Sequence, residues 1–389
     1  MRHEYLAALH SSGSAVPRTG WAPHFLLLHE GDELVAACPL YVKAHSYGEY
    51  VFDWAWANAY AEHGLDYYPK ALVAVPFTPV PGSRLLARDA AARAALVQTL
   101  IGWCGQKKLS SLHLLFGDEN DLVACDAAGL MRRQQVQFHW QNQVPTPPDA
   151  QGAPPHEAAP SAGGRPGGGL QAHPRPFRDF DDFLASLTQE KRKKIKQERR
   201  KVADAGVRFR SARGADIAAA DWAFFYRCYE RTYLEHGNAP YLAPPFFRAM
   251  AQRMSDDWVL FIAERDGHPI ASSLIAVGAY PASAGSLKDT ETVAYGRYWG
   301  ALERVDCLHF DACYYQPIDW CVRHGVARFE GGAQGEHKMA RALMPVATYS
   351  AHWLAHPAFA DAVERFLARE SAGMAGYLEH LDERSPFRR

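Results

Sequence analysis

Alternating and periodic apolar positions divide the chain into recognisable elements. Phe25–Leu28 and Leu34–Val42 form apolar runs around Glu30-Gly31-Asp32, the pattern of a β-hairpin. Tyr50–Ala61 is aromatic-rich, and Ala71–Pro76 and Ser111–Phe116 have the unbroken apolar character of buried strands. Between them, Leu96, Leu100 and Trp103 recur at helical spacing and predict a helix from about Asp89 to Lys107. Further on, the pattern predicts helices at Asp179–Leu187, Asp221–Glu235 and from Pro244 through Met254. Strands follow at Trp258–Glu264, Ile270–Val277, Tyr295–Trp299, Leu308–Ala312 and Ala327–Glu330, and an amphipathic helix closes the chain at 361–380. This mixture predicts α/β or α+β layering.

The chain also repeats itself. Leu130-Met131 and His139-Trp140 recur as Leu343-Met344 and His352-Trp353, 213 residues later. Trp103-Cys104 matches Trp320-Cys321 at an offset of 217, and the hairpin turn matches Asp266-Gly267-His268 at 236. An offset drifting in one direction is the mark of two copies of one unit with different loop lengths. Because the polar residues concentrate in the second copy, His139 and His352 read as matching scaffold positions, and one active site is expected rather than two.

Residues 143–178 separate the copies. The stretch from Val144 to Pro176 is rich in Pro, Gly and Ala and nearly free of large apolar side chains, so it reads as a disordered linker. The expected organisation is a first domain at 1–142, the linker, and a second domain at 179–389. Seven cysteines without a CxxC pair point to reduced thiols and a cytoplasmic location. No apolar stretch is long enough for a membrane span, and Met1–Tyr5 lacks the apolar core of a secretory signal.

Three clusters carry candidate chemistry. In "ARFEGGAQGEHKMARAL" a strand runs into Gly331-Gly332, followed closely by Gln334, Gly335, Glu336, His337 and Lys338. A carboxylate, an imidazole and an ammonium on a glycine-rich turn can supply a base, a proton donor and an anion contact. A polar surface turn is the plain alternative. In "DCLHFDACYYQ", strand alternation puts His309 and Asp311 on one face as an acid/base relay or a satisfied buried pair, with Tyr314, Tyr315 and Gln316 at the strand end. "YGRYWG" sets Arg297 beside Tyr295, suited either to an anion or to an aromatic core. Lys191–Lys201 holds eight Lys or Arg in eleven residues, although the net charge is only −1. That concentration suggests a phosphate-bearing partner (a coenzyme pyrophosphate, tRNA or an anionic lipid surface) gripped by residues such as Lys191 and Lys194, or else a solvated helix. No zinc spacing or HExxH motif appears, so no metal is expected.

"GEYVFDWAWA", "YYPKALVAVPFTPVPG", "FHWQN", "GRYWG", "HFDACYYQPIDW" and "FEGGAQGEHKMAR" together resemble the bacterial predicted N-acyltransferases related to FemAB peptidyltransferases. This peptidogalycan biosynthesis/recognition family is allied to the Gcn5-related N-acetyltransferases. The resemblance covers nearly the whole chain outside the linker and implies a tandem repeat of two acetyltransferase-like domains. "EKRKKIKQERRKVADAGV" is similar to the basic helix that opens the second FemAB-like domain. Residues 143–176 look like an insertion, and the chain begins almost at the first helix, so an edge element of the first domain is expected to be missing.

The implied chemistry is acyl transfer from an activated donor, acyl-CoA in the first instance, to an amine. Glu336 or His337 is then the expected base and Tyr315 the proton donor. Gln334 and the amides of Gly332–Gly335 would polarise the carbonyl, with Lys338 and Arg297 as anion contacts. The alternatives are an aminoacyl-tRNA-dependent peptidyltransferase acting on a cell-wall precursor, and a non-catalytic recognition module.

Overall fold

A computed structural model describes residues 2–145, 175–281, 290–333 and 335–388. The fold is mixed α/β. One sheet of twelve strands runs through the described residues, with helices on both faces.

The first half opens with α1 (His3–Ser11) and the hairpin of β1 (Trp21–Glu30) and β2 (Glu33–Lys43). It continues through α2 (Trp54–Glu62), β3 (Lys70–Val73), the short β4 (Leu86–Ala87), α3 (Ala90–Gln106), β5 (Ser111–Leu115), α4 (Glu119–Ala127) and β6 (Met131–Gln141). After residue 174 come α5 (Phe180–Ser186), α6 (Gln189–Asp204), β7 (Val207–Arg213), α7 (Ala219–Glu235) and α8 (Pro244–Arg253). The antiparallel run β8 (Trp258–Arg265), β9 (His268–Pro281) and β10 (Thr290–Ala301) then leads to α9 (Gln316–Arg323), β11 (Arg328–Ala333), β12 (Met344–Leu354) and α10 (Pro357–Glu383). Asp89, Asp118 and Asp179 cap α3, α4 and α5, each side chain accepting a backbone N–H of the first turn.

The sheet order is β1-β2-β3-β5-β12-β6-β11-β10-β9-β8-β7. The last strand of each half is therefore exchanged: β12 lies against β5 of the first half, and β6 against β11 of the second. The two exchanged strands pair with each other antiparallel at the centre. The Leu-Met…His-Trp repeat falls on these two strands, with His139 opposite Met344 and His352 opposite Met131. The cores follow the exchange. Phe138 and Trp140 of β6 pack with Phe183, Phe329 and Leu343, while Ala351 of β12 packs with Leu100, Cys104 and Leu114. A further core joins Leu9, Trp21 and Phe77 to Phe225, Phe246 and Trp258, so the halves also share apolar surface away from the central strands. Burying a Trp or Phe this fully is worth roughly 1.5–3 kcal/mol each, which ties the halves together.

Most of 143–178 lies outside the described residues. Its flanks are joined by a Val144 N–H to Arg175 C=O bond of 2.9 Å, and Phe177 is core, stacked on Trp140. Leu308–Ala312 is not a strand. Leu308–Phe310 is one helical turn, Asp311–Tyr315 a wider π turn, and both run straight into α9. Five residues of alternating polarity do not distinguish a strand from a half-buried helix. Here Pro317 sits in the first turn of α9, where it is compatible with helix and not with a strand interior.

Candidate active site at the junction of the halves

The segment after β11 separates the residues that sequence places together. Glu336–Arg341 is a 3-10 helix, whose three residues per turn send consecutive side chains about 120° apart. Glu336 is exposed and accepts from Tyr377 Oη (3.1 Å) and Arg384 Nη1 (2.9 Å), joining this turn to α10. His337 turns to Tyr314, with 3.2 Å between Nε2 and Oη, and burial and the nearby Arg341 lower its pKa. Lys338 is buried and donates to the carbonyls of Gly331 (2.7 Å), Gly332 (3.3 Å) and Ala333 (3.0 Å); burial brings its pKa down to about 8. All three of its donors are spent on backbone, so it serves the turn rather than an incoming anion. Gln334 lies outside the described residues.

Lys338 also shapes the peptide units above it. Gly331 and Gly332 have no ladder partner on either neighbouring strand. With their carbonyls drawn to one side by the ammonium, the trans peptide geometry turns the following amides to the other. Gly332 has φ +73°, which favours glycine, and a Cβ at Gly331 would sit 2.3 Å from Leu343 Cδ2.

The other expected residues scatter. Because 308–323 is helical, His309 and Asp311 do not share a strand face. His309 packs edge-on against Trp299, Phe310 and Tyr314, and burial lowers its pKa to about 4. Asp311 accepts from Gln316 Nε2 (3.0 Å) and stands 3.7 Å from Arg199; burial raises its pKa to about 6. Tyr315 is fully buried and donates to Glu198, whose carboxylate also takes two bonds from Arg341 Nη2 at 2.9 and 3.0 Å. That interaction is internal to the second half. Lys191 pairs with Glu190, and Lys194 is exposed on α6, whose inner face is Ile195, Glu198 and Val202.

A cavity of about 760 Å³ lies between the halves. Thr78, Arg84 and Asp118 face it from the first half, and Tyr280, Tyr295, Arg297 and Arg328 from the second. Arg297 is the extra residue of a bulge in β10. Its Nη2 donates to Phe77 C=O and to the hydroxyls of Tyr5, Thr78 and Tyr298, all at 3.0–3.2 Å, so its charge meets only neutral oxygens.

Behind Arg328 and Tyr295 is a residue that the sequence reading passed over. Tyr295, Glu330 and His139 form one row across β10, β11 and β6. Glu330 accepts from Arg328 Nε at 3.1 Å through Oε1, while Oε2 is buried without a partner, 3.9 Å from His139 Nε2. Burial raises the Glu330 carboxyl to about 7 and lowers His139 to about 3. His139 Nε2 is also 3.2 Å from Gln137 Oε1, and Gln137 Nε2 donates to Pro79 C=O at 2.7 Å, next to the cavity wall. The parallel pairing of β10 with β11 ends at Tyr295–Glu330, so the strands part just beyond this carboxylate. The signal for Glu330 was its position 217 residues after His113, the same offset as the Trp-Cys match.

Among the described residues, no three His, Cys, Asp or Glu side chains gather in metal-binding geometry. No helix among them is long and apolar enough to cross a membrane.

A mixed α/β sheet with its two central strands paired across the halves and a cavity at their junction defines the class. Over residues 1–150 and 165–389 the chain matches the FemAB-like family, peptidogalycan biosynthesis/recognition, and it belongs to that family. No curated protein matches its sequence. Among solved structures, FemX is similar at 9% identity and a TM-score of 0.49, over 93% of each chain. L-PGS from Bacillus licheniformis is similar at 9% identity and 0.49, over 94% of this chain and 97% of that one. A tandem GNAT protein from the clavulanic acid biosynthesis pathway is similar at 12% identity and 0.40, over 91% and 96%.

Proposed function

We propose that this protein is an N-acyltransferase that forms an amide bond in the junction cavity, with Glu330 as general base. The carrying observation is the orphaned Oε2 of Glu330, buried one residue behind the cavity wall where β10 and β11 part. A buried acceptor without a donor is costly, and the ammonium of an acceptor substrate, or a water bridging to it, would complete it. A carboxyl poised near 7 is matched to deprotonating an amine at neutral pH. The free amine then attacks the donor carbonyl, with the amides turned away from Lys338 as candidate donors to the developing oxyanion. The intermediate collapses by breaking the C–O or C–S bond to the donor, and the proton still on the attacking nitrogen passes to the leaving oxygen or sulfur.

In this reading the chain is two acetyltransferase-like units, divided at the 143–178 segment, that exchange their last strands and share one active site. Membership in the FemAB-like family supports aminoacyl transfer to a cell-wall precursor over the acyl-CoA donor first expected. The basic helix α6, with Lys191 and Lys194 on its open side, is suited to a tRNA-linked donor.

The test supplies an amine-bearing cell-wall precursor with aminoacyl-tRNA, and separately with acyl-CoA, and follows amide formation by mass spectrometry. Glu330→Gln should lower turnover by roughly 10²–10⁴-fold, the usual worth of a general base, while leaving the fold intact. Full turnover in that variant would overturn the assignment. Turnover with acyl-CoA alone would restore the CoA-dependent reading.

A further inference from the structure

Away from this cavity, three buried cations hold one loop of the first half. Lys70 is completely buried and donates to Ser46 Oγ (2.7 Å), Glu49 Oε2 (2.8 Å) and Asp53 Oδ2. Lys43, 3.5 Å above the Trp21 ring, donates to Tyr47 C=O at 3.3 Å. Arg133 donates to Phe52 C=O at 2.8 Å and is fixed in turn by Glu370. Gly48, at φ +80°, lies so close to Phe77 that a Cβ would be 2.6 Å from its ring.

Burying these charges is expensive, and such groups are a poor source of net stability. Their geometric effect is specific. Ser46, Glu49, Val51 and Asp53 point inward, and Tyr47 and Phe52 between them are displayed. Tyr47 and Phe52 are each 53% exposed and Trp54 37%. The Tyr47 and Trp54 rings stand 5.1 Å apart at 60°, an open notch whose ring faces are not stacked on each other. Every displayed ring sits on or next to a backbone unit held from below.

The surroundings select the partner. From Ala44 to Pro69 the chain has no Lys or Arg, while Glu62 and Asp66 are exposed. Nucleic acid and anionic lipid are therefore disfavoured, since both need cations at their phosphates. Asn58 and Glu62 are exposed on α2 four and eight residues after Trp54, along the same helix face. Rigid aromatic faces beside an amide and a carboxylate fit an uncharged ring with an apolar face and a rim of hydroxyls.

We infer that Tyr47, Trp54 and Asn58 form a binding surface for neutral glycan rings, separate from the catalytic cavity. None of these residues lines that cavity, so the surface stands independently of the acyl-transfer reading.

The test is titration calorimetry of the full chain with cellohexaose and with the β-1,4-linked hexamer of N-acetylglucosamine. Sedimentation with phosphatidylcholine vesicles, with and without phosphatidylglycerol, runs alongside. Wild type should bind at least one hexasaccharide, and Trp54→Ala should weaken it by about tenfold, one stacked ring's worth. Asn58→Ala should weaken it less, and Phe25→Ala, an exposed ring on the edge strand β1, should bind as wild type. The exposed positions keep the variants folded, which circular dichroism checks. Absence of hexasaccharide binding, equal binding by Trp54→Ala, or vesicle binding abolished by Trp54→Ala would each overturn the inference, the last in favour of a membrane surface.

Discussion

His113 Nδ1 lies 2.7 Å from His352 Nδ1, across the seam where β12 joins the first half. Tyr67 donates to Asp53 at 2.7 Å, and His113 Nε2 lies 2.8 Å from Ser111 Oγ and 3.1 Å from Tyr67 Oη. One of the two facing Nδ1 atoms carries the proton and the other accepts it, and His352 Nε2 lies 2.8 Å from Ser350 Oγ. The same positions in the second half are Glu330, His139 and Gln137, at offsets of 217 and 213. In one copy both ring nitrogens of each histidine are within hydrogen-bond reach of a neighbour. The other retains an unpaired carboxylate beside a cavity, which is how one repeat comes to hold a single proposed active site.

The histidine pair predicts acid sensitivity. Burial, reinforced by Lys70, lowers His113 to about 3, and burial and His113 put His352 well below its ordinary value. In the unfolded chain both titrate near 6.5. Their contribution is therefore fully present above about pH 6.5 and is lost as pH falls toward 3. His352→Leu should be less stable at pH 7.5 but should show a shallower decline of its urea midpoint between pH 6.5 and 4. An unchanged slope would refute the pair as the source.

Glu330 predicts the opposite slope. Its folded pKa, about 7, lies above the unfolded value, so the stability linked to it is fully present below about pH 4.3 and lost as pH rises through 7. Glu330→Gln removes that loss and should melt higher than wild type at pH 8, by up to about 3 kcal/mol, with little difference at pH 4.5. Wild-type turnover should rise through pH 7 as the carboxyl ionises. Thermal melts at the two pH values, with a pH–rate profile, check both parts.

Much of this arrangement was legible in the sequence, and the remainder failed for identifiable reasons. The β1–β2 hairpin, α3, α7 and α8 follow local periodicity and turn chemistry, which short-range forces determine. The doubled Leu-Met…His-Trp signature was visible, but periodicity tells which face a strand buries and not which strand it joins, so the central pairing of β6 with β12 was not. Glu336, His337 and Lys338 looked like one cluster because they are adjacent in sequence, and the 3-10 geometry sends them three ways. Glu330 drew no notice because one acid before two glycines reads as a strand end. Its environment is built by β6, almost two hundred residues earlier.

Lys338 distinguishes a backbone clamp from an anion contact. As a clamp, Lys338→Met strips three carbonyls of their donor and should destabilise the protein by about 2–4 kcal/mol while reducing kcat through disordered amides. As an anion contact it would raise KM with stability nearly unchanged. Urea unfolding combined with separate kcat and KM values decides between them.

Gly300 tests how closely α7 packs on the sheet. A Cβ there would lie 1.9 Å from the backbone oxygen of Cys228 and 2.8 Å from Thr232 Oγ1, which itself donates to Trp299 C=O at 2.9 Å. Backbone cannot yield as a flexible side chain does, so α7 must move off β10. That shift would pull Phe225 and Tyr229 away from Tyr298, and with Tyr298 one of the four oxygens around Arg297 Nη2. Gly300→Ala should therefore cost at least about 1–3 kcal/mol, as overpacking does, and should also weaken substrate binding at the cavity. A melt equal to wild type would show that α7 is not held where the close approach requires. A lower melting temperature with unaltered KM would confine the damage to the core and separate Arg297 from substrate recognition.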